Sequence, residues 1–262
     1  MKEFFGFGGY QRTPEGYLSW QHLLFVSSFM VLMVTLAYII GRRQRGLGER
    51  ERNRVLAISA ILIDTLEVLR IIIVSVRSQD AMKWLYLLPL FLCSIQLITI
   101  PLAAFSRGRV KEAALDFVFI FGILGAVLGT YGAGNDYSCF PILSYDIIHT
   151  TLTHTVSGFC SLYIFFSGMI SMKRRNIPIT VGIVSLFCIV SYAVNLAIDY
   201  NYMFLMRGDG TPYDILYNIC GGSPVLYPVS VVLLFFLYLA VFYLVYYLIC
   251  GRARAQHPTE QA

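Results

Sequence analysis

The sequence predicts an all-α fold, a polytopic bundle of about seven transmembrane helices, with six as the alternative count. Of the 262 residues, 57% are hydrophobic and 13% are charged, which is too apolar for an ordinary soluble domain. The apolar residues form seven stretches, each long enough to cross a bilayer, which takes roughly 20 residues. The connections are short, so we expect residues 1–262 to form a single integral membrane domain, ending in a short cytoplasmic tail at 251–262.

The expected spans follow one another without a soluble insertion. They lie at roughly residues 20–41, 55–76, 84–105, 113–133, 146–171, 178–200 and 225–250. The first span is followed by an arginine cluster and by no small-residue cleavage site, so we expect a retained helix and not a signal peptide. Within the third span, Pro89 and Pro101 each remove a helical hydrogen bond and predict a kink beside Cys93.

The basic residues are unevenly divided between the two sides of this bundle. Fourteen lysines and arginines fall in the loops and tail on one side, and five fall on the other. Because cytoplasmic loops are enriched in basic residues, the N-terminus is predicted to lie outside and the C-terminus in the cytoplasm. The clusters are short and juxtamembrane, which favours a topology signal or contact with anionic lipid over nucleic-acid binding.

Ionisable residues inside spans are costly and usually face a cavity or a partner. Asp64, Glu67 and Arg70 lie near one face of the second span, where Glu67 can pair with Arg70. They predict either a structural ion pair or the polar wall of a substrate cavity. His149 and His154 in the fifth span are five residues apart, so their rings point about 140° from each other and form a poor chelating pair.

Cys93 and His154 are predicted to lie at similar depths. Cys93 lies nine residues past Trp84 and His154 lies eight past Asp146, about 13 Å and 12 Å below the outer boundary if both spans are helical. A histidine within hydrogen-bond reach can deprotonate a cysteine and make it a nucleophile for acyl transfer. The candidate donors to the resulting oxyanion are Gln96, Arg70 and Asn195.

The outer loop at 201–224 mixes apolar runs with glycine and proline, which predicts a re-entrant or interfacial lid. Cys139 and Cys220 fall in the two outer loops, and the sequence leaves open whether they form a disulfide. No glycine-rich phosphate loop, paired-cysteine motif or HExxH is present, so we expect no cofactor and no bound metal. The predicted substrate-binding residues are Glu67, Arg70, Gln96, His149, Asn195, Asn201 and Arg207.

Three stretches carry a resemblance to a known family. They are "LPLFLCSI" (88–95), "VNLAIDYNYMFLMR" (194–207) and "FP" (140–141), the last followed by His154 and by "LY" (162–163). Through them the chain resembles the bacterial YwaF family of integral membrane proteins over nearly its whole length. That family is related to the animal transmembrane protein 164 phospholipid acyltransferases and distantly to the androgen-induced-gene lipid hydrolases. The resemblance implies that Cys93 is a nucleophile, that His154 is its base, and that the protein lies in the bacterial cytoplasmic membrane.

These observations leave three functions, of which we favour the first. It is a membrane lipid acyltransferase or acyl hydrolase that forms an acyl-thioester on Cys93 in the outer half of the bilayer and so remodels phospholipids. The second is a transporter or receptor that binds a lipid or small solute in an outward-facing polar cavity. The third is a metal-dependent membrane hydrolase that uses His22, His149, His154 and Glu67. The sequence does not predict the acyl donor, the acceptor or the oligomeric state.

Overall fold

The computed structural model describes residues 1–256, and every regular element within them is helical, as predicted. The predicted tail at 251–262 begins inside the last helix, and residues 257–262 lie outside the described residues. Short 3-10 turns occur at Lys83–Leu87, Leu92–Ile95, Arg174–Asn176 and Tyr202–Phe204. The α-helices are α1 (Trp20–Gln44), α2 (Glu49–Ser78), α3 (Gln96–Phe105), α4 (Gly108–Tyr131), α5 (Gly134–Cys139), α6 (Tyr145–Phe166), α7 (Ile177–Ile198), α8 (Tyr213–Ile219) and α9 (Leu226–Gln256).

Within residues 1–256, four helical stretches are long and apolar enough to cross a membrane: Trp20–Gln44, Gly108–Cys139, Arg174–Ile198 and Leu226–Ile249. Helices α2 and α6 are also long, at 30 and 22 residues, but both carry polar or charged side chains along their length. Six of the seven predicted spans therefore correspond to single helices, and the protein is a polytopic helical membrane protein. Its orientation remains a prediction from the distribution of basic residues.

The prediction of one helix at 84–105 is wrong. After the turn at Lys83–Leu87 the chain is extended at Leu88 (ψ 144°) and at Phe91 (ψ 156°), and α3 begins only at Gln96. Pro89 accounts for the break, because a proline disfavours helical conformation in the preceding residue and has no N–H to donate. Cys93 therefore lies in the first turn of a helical segment, and its predicted depth, which assumed a continuous helix, does not hold.

The chain divides into two compact units, Met1–Thr180 and the residues from Val181 onward. In the first unit α4 is the central helix and packs against α3 and α6, while α6 also packs against α1 and α2. Of the apolar span that includes α4, 61% is buried, against 17–22% of the other three apolar spans. A helix that is apolar on all sides belongs in the interior of a bundle, so α4 is the surface on which the surrounding elements of this unit are arranged.

The N-terminal segment folds over the ends of α2 and α6. The Arg77 guanidinium donates two hydrogen bonds to the Asp146 carboxylate, at 2.6 and 3.0 Å, and one to the Phe5 carbonyl at 3.0 Å. The Tyr10 hydroxyl also donates to Asp146. Burial and this bond to a carboxylate raise the pKa of Tyr10 to about 12. Gly6 has a φ of +70°, and a Cβ there would lie 2.8 Å from Arg77 Nη1, so the turn requires glycine.

In the second unit, a tight loop connects α7 to the short helix α8. The loop contains consecutive left-handed residues, Met203 (φ +56°) and Phe204 (φ +55°). On α8, Ile215 and Ile219 lie one turn apart and are 65% and 76% exposed. An apolar face of this kind is typical of a helix that lies at a membrane interface, which is the environment predicted for this loop.

Candidate active site

Cys93 and His154 both lie against one face of α4 that carries two glycines. A Cβ at Gly125 would lie 3.5 Å from the Cys93 Cβ, and a Cβ at Gly129 would lie 2.1 Å from the His154 Cε1. We call Gly125 and Gly129 the glycine face. Because Cβ positions four residues apart on a helix are about 5–6 Å apart, the Cys93 Cβ and the His154 ring are separated by at most about 12 Å. The two side chains therefore lie against positions one turn apart on α4.

The break at Pro89 determines what surrounds the Cys93 thiol. Cys93 is the second residue of the turn Leu92–Ile95 and is half-buried. The Ser94 N–H that follows it donates to the Phe91 carbonyl at 2.9 Å and closes this turn. The thiol therefore lies where the chain enters a helical segment and not inside a continuous helix.

The two histidines of α6 point to different helices, as their spacing predicts. The His154 ring faces the glycine face of α4. His149 faces α2, where its Nε2 lies 3.6 Å from the Glu67 Oε2. Arg70 Nη1 lies 2.8 Å from the Glu67 Oε1, which confirms the predicted ion pair. His149 is 4% exposed, and within the described residues its Nε2 has no hydrogen-bond partner.

The Glu67–Arg70 pair lies within electrostatic reach of both Cys93 and His154. The Glu67 carboxylate is within electrostatic reach of the Cys93 thiol, and the Arg70 guanidinium is within electrostatic reach of the His154 ring. His149 and His154 are also within electrostatic reach of each other. The first unit thus brings together six of the residues predicted for the site: Glu67, Arg70, Cys93, Gln96, His149 and His154.

Gln96 contributes a buried donor one turn after Cys93. The side chain is fully buried, and its Oε1 accepts a hydrogen bond from the Thr99 hydroxyl at 3.1 Å. Its amide Nε2 has no partner among the described residues. An unsatisfied buried donor costs about 1–3 kcal/mol, so this N–H group is available to a bound oxygen atom.

The other three predicted residues belong to the second unit, where their contacts are within one loop. The Asn195 side chain donates to the Tyr202 carbonyl at 2.9 Å and accepts from the Tyr202 N–H at 2.7 Å. Asn201 donates to the Arg207 carbonyl at 2.7 Å, and the Arg207 side chain pairs with Asp209 at 2.8 Å. These bonds hold the left-handed loop, and a substrate role for these residues stays a prediction.

The structure also describes the residues of the metal-dependent hydrolase alternative and of the possible disulfide between Cys139 and Cys220. His22 accepts from the Leu18 N–H at 3.1 Å through Nδ1, and its Nε2 lies 3.3 Å from the Thr130 carbonyl, so both ring nitrogens have backbone partners. Residues 1–256 contain no group of three or more His, Cys, Asp or Glu side chains arranged to hold a metal ion. Cys139 and Cys220 are both free thiols.

Two features of the site were missed from the sequence. The first is the glycine face, which is part of a G-x-x-x-G pattern, "GAVLG" at 125–129, inside an apolar stretch. That pattern lets another element approach a helix closely and was a readable signal. The second is the Arg77–Asp146 pair, whose residues flank the predicted spans and carry no pattern that would join them.

Comparison with known proteins adds one result. A model of the TMEM164 family matches residues 17–246, a range that includes Cys93, His154 and the glycine face. The match agrees with the relation to transmembrane protein 164 that the sequence motifs imply. No curated protein and no solved structure matches the chain.

Proposed function

The chain belongs to the TMEM164 family, and from that membership we propose that it is a membrane-embedded lipid acyltransferase or acyl hydrolase. Membership indicates a membrane protein of an acyltransferase-like family. The finer assignment, with Cys93 as nucleophile and His154 as general base, is our proposal. The observation that carries it is the shared position of these two side chains against the glycine face of α4.

The proposed reaction has two halves. His154 takes the proton from the Cys93 thiol, and the sulfur attacks the carbonyl carbon of a lipid ester. The ester C–O bond breaks, the leaving oxygen takes the proton from His154, and the acyl group remains on Cys93 as a thioester. An acceptor hydroxyl, from a lipid in a transferase or from water in a hydrolase, then gives its proton to His154 and attacks the thioester. The thiol is released and takes the proton back.

The developing oxyanion requires donors aimed at the reacting carbonyl. The Gln96 Nε2 has no partner among the described residues, is of the right type and lies one turn after Cys93. In acyl transfer a single such donor contributes roughly 10²–10³ in rate. It supports an acyl-transfer assignment more directly than a binding role, because a bound solute does not require a donor beside a thiol.

A groove along α3 supports a long acyl chain as the transferred group. A shallow groove that is open to the surroundings is lined by Leu97, one turn after Cys93, and by Pro101, Leu102 and Phe105. Asp64 and Ser106 also line it. An acyl chain attached to the Cys93 sulfur would follow this surface away from the polar groups of the site.

His154 lies nine residues after the start of α6, about 13.5 Å along the helix, so with the predicted orientation the site falls in the outer half of the bilayer and the proposed substrates are lipids of the outer leaflet. Cys93 and His154 are half-buried and not sealed in the core, which leaves room for lateral entry. The proposed location is the bacterial cytoplasmic membrane.

Trapping the acyl-enzyme tests the mechanism. The purified protein is reconstituted with phospholipid carrying a labelled acyl chain, and the label on the protein is followed before and after hydroxylamine, which cleaves thioesters. We expect a hydroxylamine-sensitive adduct on Cys93, no adduct in Cys93→Ala, and neither adduct nor product in His154→Ala. Cys139→Ser, which changes an exposed free thiol, is the matched control and should behave as the wild type.

Two results decide against the proposal. Full product formation in both Cys93→Ala and His154→Ala, with each variant folded, would show that neither residue carries the chemistry. A labelled lipid that binds without forming adduct or product in the wild type would favour the transporter or receptor alternative. Adding a lysophospholipid separates a transferase, which makes diacyl product, from a hydrolase, which makes free fatty acid.

A further inference from the structure

A polar cavity of about 250 Å³ lies in the first unit, where residues of α2, α5, α6 and the turn Lys83–Leu87 line it. Its charged or titratable lining residues are Arg70, Arg77, Lys83, Asp136, Asp146 and His149. The cavity has no excess charge, because Glu67, which pairs with Arg70, completes a set of three cationic and three anionic side chains. A polar space without excess charge suits water better than an ion, and at about 30 Å³ per molecule it has room for several.

His149 presents a buried acceptor that has no donor. The side chain is 4% exposed, and one ring nitrogen bonds the Leu66 carbonyl, which fixes the N–H of the neutral ring on that side. Nε2 is therefore an acceptor, and it has no partner among residues 1–256. The Glu67 Oε2, 3.6 Å away, is also an acceptor, so the two atoms cannot bond each other. A water molecule can donate one hydrogen bond to each of them, and water is the usual partner of such buried acceptors.

The cavity leads from the helix ends towards the proposed active site. Arg77 is the penultimate residue of α2 and Asp146 is the second residue of α6, so this part of the lining lies at the ends of the two helices. His149 lies about one turn further into α6, and His154 is five residues beyond it, about 7.5 Å along the helix axis. The groove proposed for the acyl chain shares no lining residue with this cavity. Water and the acyl chain would therefore approach by different routes.

We infer that this cavity carries water to the acyl-thioester, that His149 positions the water, and that the acceptor in the second half-reaction is therefore water. The inference rests on the proposed function, because it names the acceptor of that same site. The water oxygen attacks the thioester carbon and His154 takes one of its protons. The C–S bond breaks, and the Cys93 sulfur takes the proton from His154, which leaves a free fatty acid and the restored thiol. His149 takes no proton in this step and acts as a positioning residue.

Turnover in heavy-oxygen water tests which acceptor is used. The full-length protein is reconstituted with phospholipid carrying a labelled acyl chain, and lysophospholipid is added as a competing acceptor. We expect most of the label to leave as free fatty acid that contains an oxygen from the heavy water. We also expect the adduct on Cys93 to decay at a rate that is independent of the lysophospholipid concentration. Label that passes mainly into diacyl product would overturn the inference and leave acyl transfer standing.

Variants in the cavity separate the two half-reactions. Thr150→Leu and His149→Phe both place apolar groups in the lining, and the second also removes the acceptor. We expect the adduct to form at a rate within about twofold of wild type and to decay about tenfold more slowly, the effect of one lost hydrogen bond. His149→Gln keeps an acceptor near the position of Nε2 and should restore most of the decay rate. Thr153→Leu makes the same change one turn along α6, at a residue that does not line the cavity, and should behave as the wild type.

Several outcomes would overturn the inference, and they differ from failure of the proposed function. Wild-type decay of the adduct in folded Thr150→Leu and His149→Phe would exclude a water route through the cavity. Equal losses in the formation and the decay of the adduct would show that these residues act only through the fold. Thr150 is half-buried, so Thr150→Leu keeps the test decisive even if His149→Phe does not fold. A wild-type protein that forms no adduct on Cys93 would refute the proposed function, and this inference with it.

Discussion

Substitution by alanine should lower the rate of acyl transfer at Gly129 but not at Gly125. An alanine Cβ at Gly129 would lie 2.1–2.4 Å from three atoms of the His154 ring, whereas at Gly125 it would lie 3.5 Å from the Cys93 Cβ, an ordinary contact. In Gly129→Ala the ring has to move from 2.1 Å to at least 3.4 Å, about 1.3 Å. Misplacement of a catalytic group by about 1 Å can cost roughly 10²-fold in rate. We therefore expect about a hundredfold loss of acyl transfer in Gly129→Ala and a rate close to wild type in Gly125→Ala.

The stability changes in this pair can be estimated separately from the rate. Both substitutions replace a helical glycine, which by itself stabilises a helix by roughly 0.5–1 kcal/mol. Overpacking costs about 1–3 kcal/mol, and only Gly129→Ala incurs it. Gly125→Ala should thus be neutral or slightly more stable, and Gly129→Ala should be folded but up to about 2.5 kcal/mol less stable.

The assays are release of a labelled acyl chain from phospholipid by reconstituted protein, and the midpoint of thermal unfolding in detergent. The double variant Gly129→Ala/His154→Ala completes a double-mutant cycle with the two single variants. Without the ring the alanine fits, so the midpoint should recover relative to Gly129→Ala and the rate should fall no further than in His154→Ala. A folded Gly129→Ala with wild-type rate and midpoint would refute the argument, because His154 would then not depend on the absence of a side chain at Gly129. Equal losses in both single variants would also refute it.

Two further predictions concern parts of the molecule away from the thiol. Because the pKa of Tyr10 is raised from 10.0 to about 12, its bond to Asp146 should stabilise the fold below pH 10 and progressively less as the pH rises towards 12. The difference in unfolding midpoint between wild type and Tyr10→Phe, measured from pH 8 to 11.5, should shrink above pH 10, and a constant difference would contradict this. Asn195→Ala removes two buried hydrogen bonds to Tyr202 and should cost about 2–4 kcal/mol, while Asn218→Ala, on the exposed side of α8, should change stability by less than about 0.5 kcal/mol. Equal midpoints for these two variants would show that the amide of Asn195 does not hold the loop.

The helices were predictable because apolar length alone determines them. A span of about 20 apolar residues must satisfy its backbone hydrogen bonds internally, so six segments became single helices wherever no proline interfered. The Glu67–Arg70 pair was predictable for a similar reason, since residues three apart on a helix are always neighbours. Local geometry determines both features, and no knowledge of the neighbouring elements was needed.

The arrangement of the site depends on which helices are neighbours, and this was not predictable. The depth comparison treated 84–105 as a helix and placed Cys93 and His154 at one level. In the structure they contact Gly125 and Gly129, positions one turn apart on α4. The expected depth of Cys93 is wrong because 3-10 and extended residues rise by different amounts from an α-helix. The two residues share a contact with α4, and their pairing stays a prediction.

The irregular stretch before Cys93 costs free energy, because backbone N–H and C=O groups outside a helix need other hydrogen-bond partners in a membrane. Non-helical backbone at membrane depth is tolerated only where protein or a polar cavity satisfies it. Here the Leu90 N–H bonds the Leu88 carbonyl at 2.8 Å, and the Ser94 N–H bonds the Phe91 carbonyl at 2.9 Å. A continuous helix would have satisfied the same groups more simply. The break that the apolar pattern failed to predict instead puts Cys93 in the first turn of a helical segment, against Gly125 of α4 and one turn before the unpartnered Gln96 amide, and this placement is what the proposed role of Cys93 depends on.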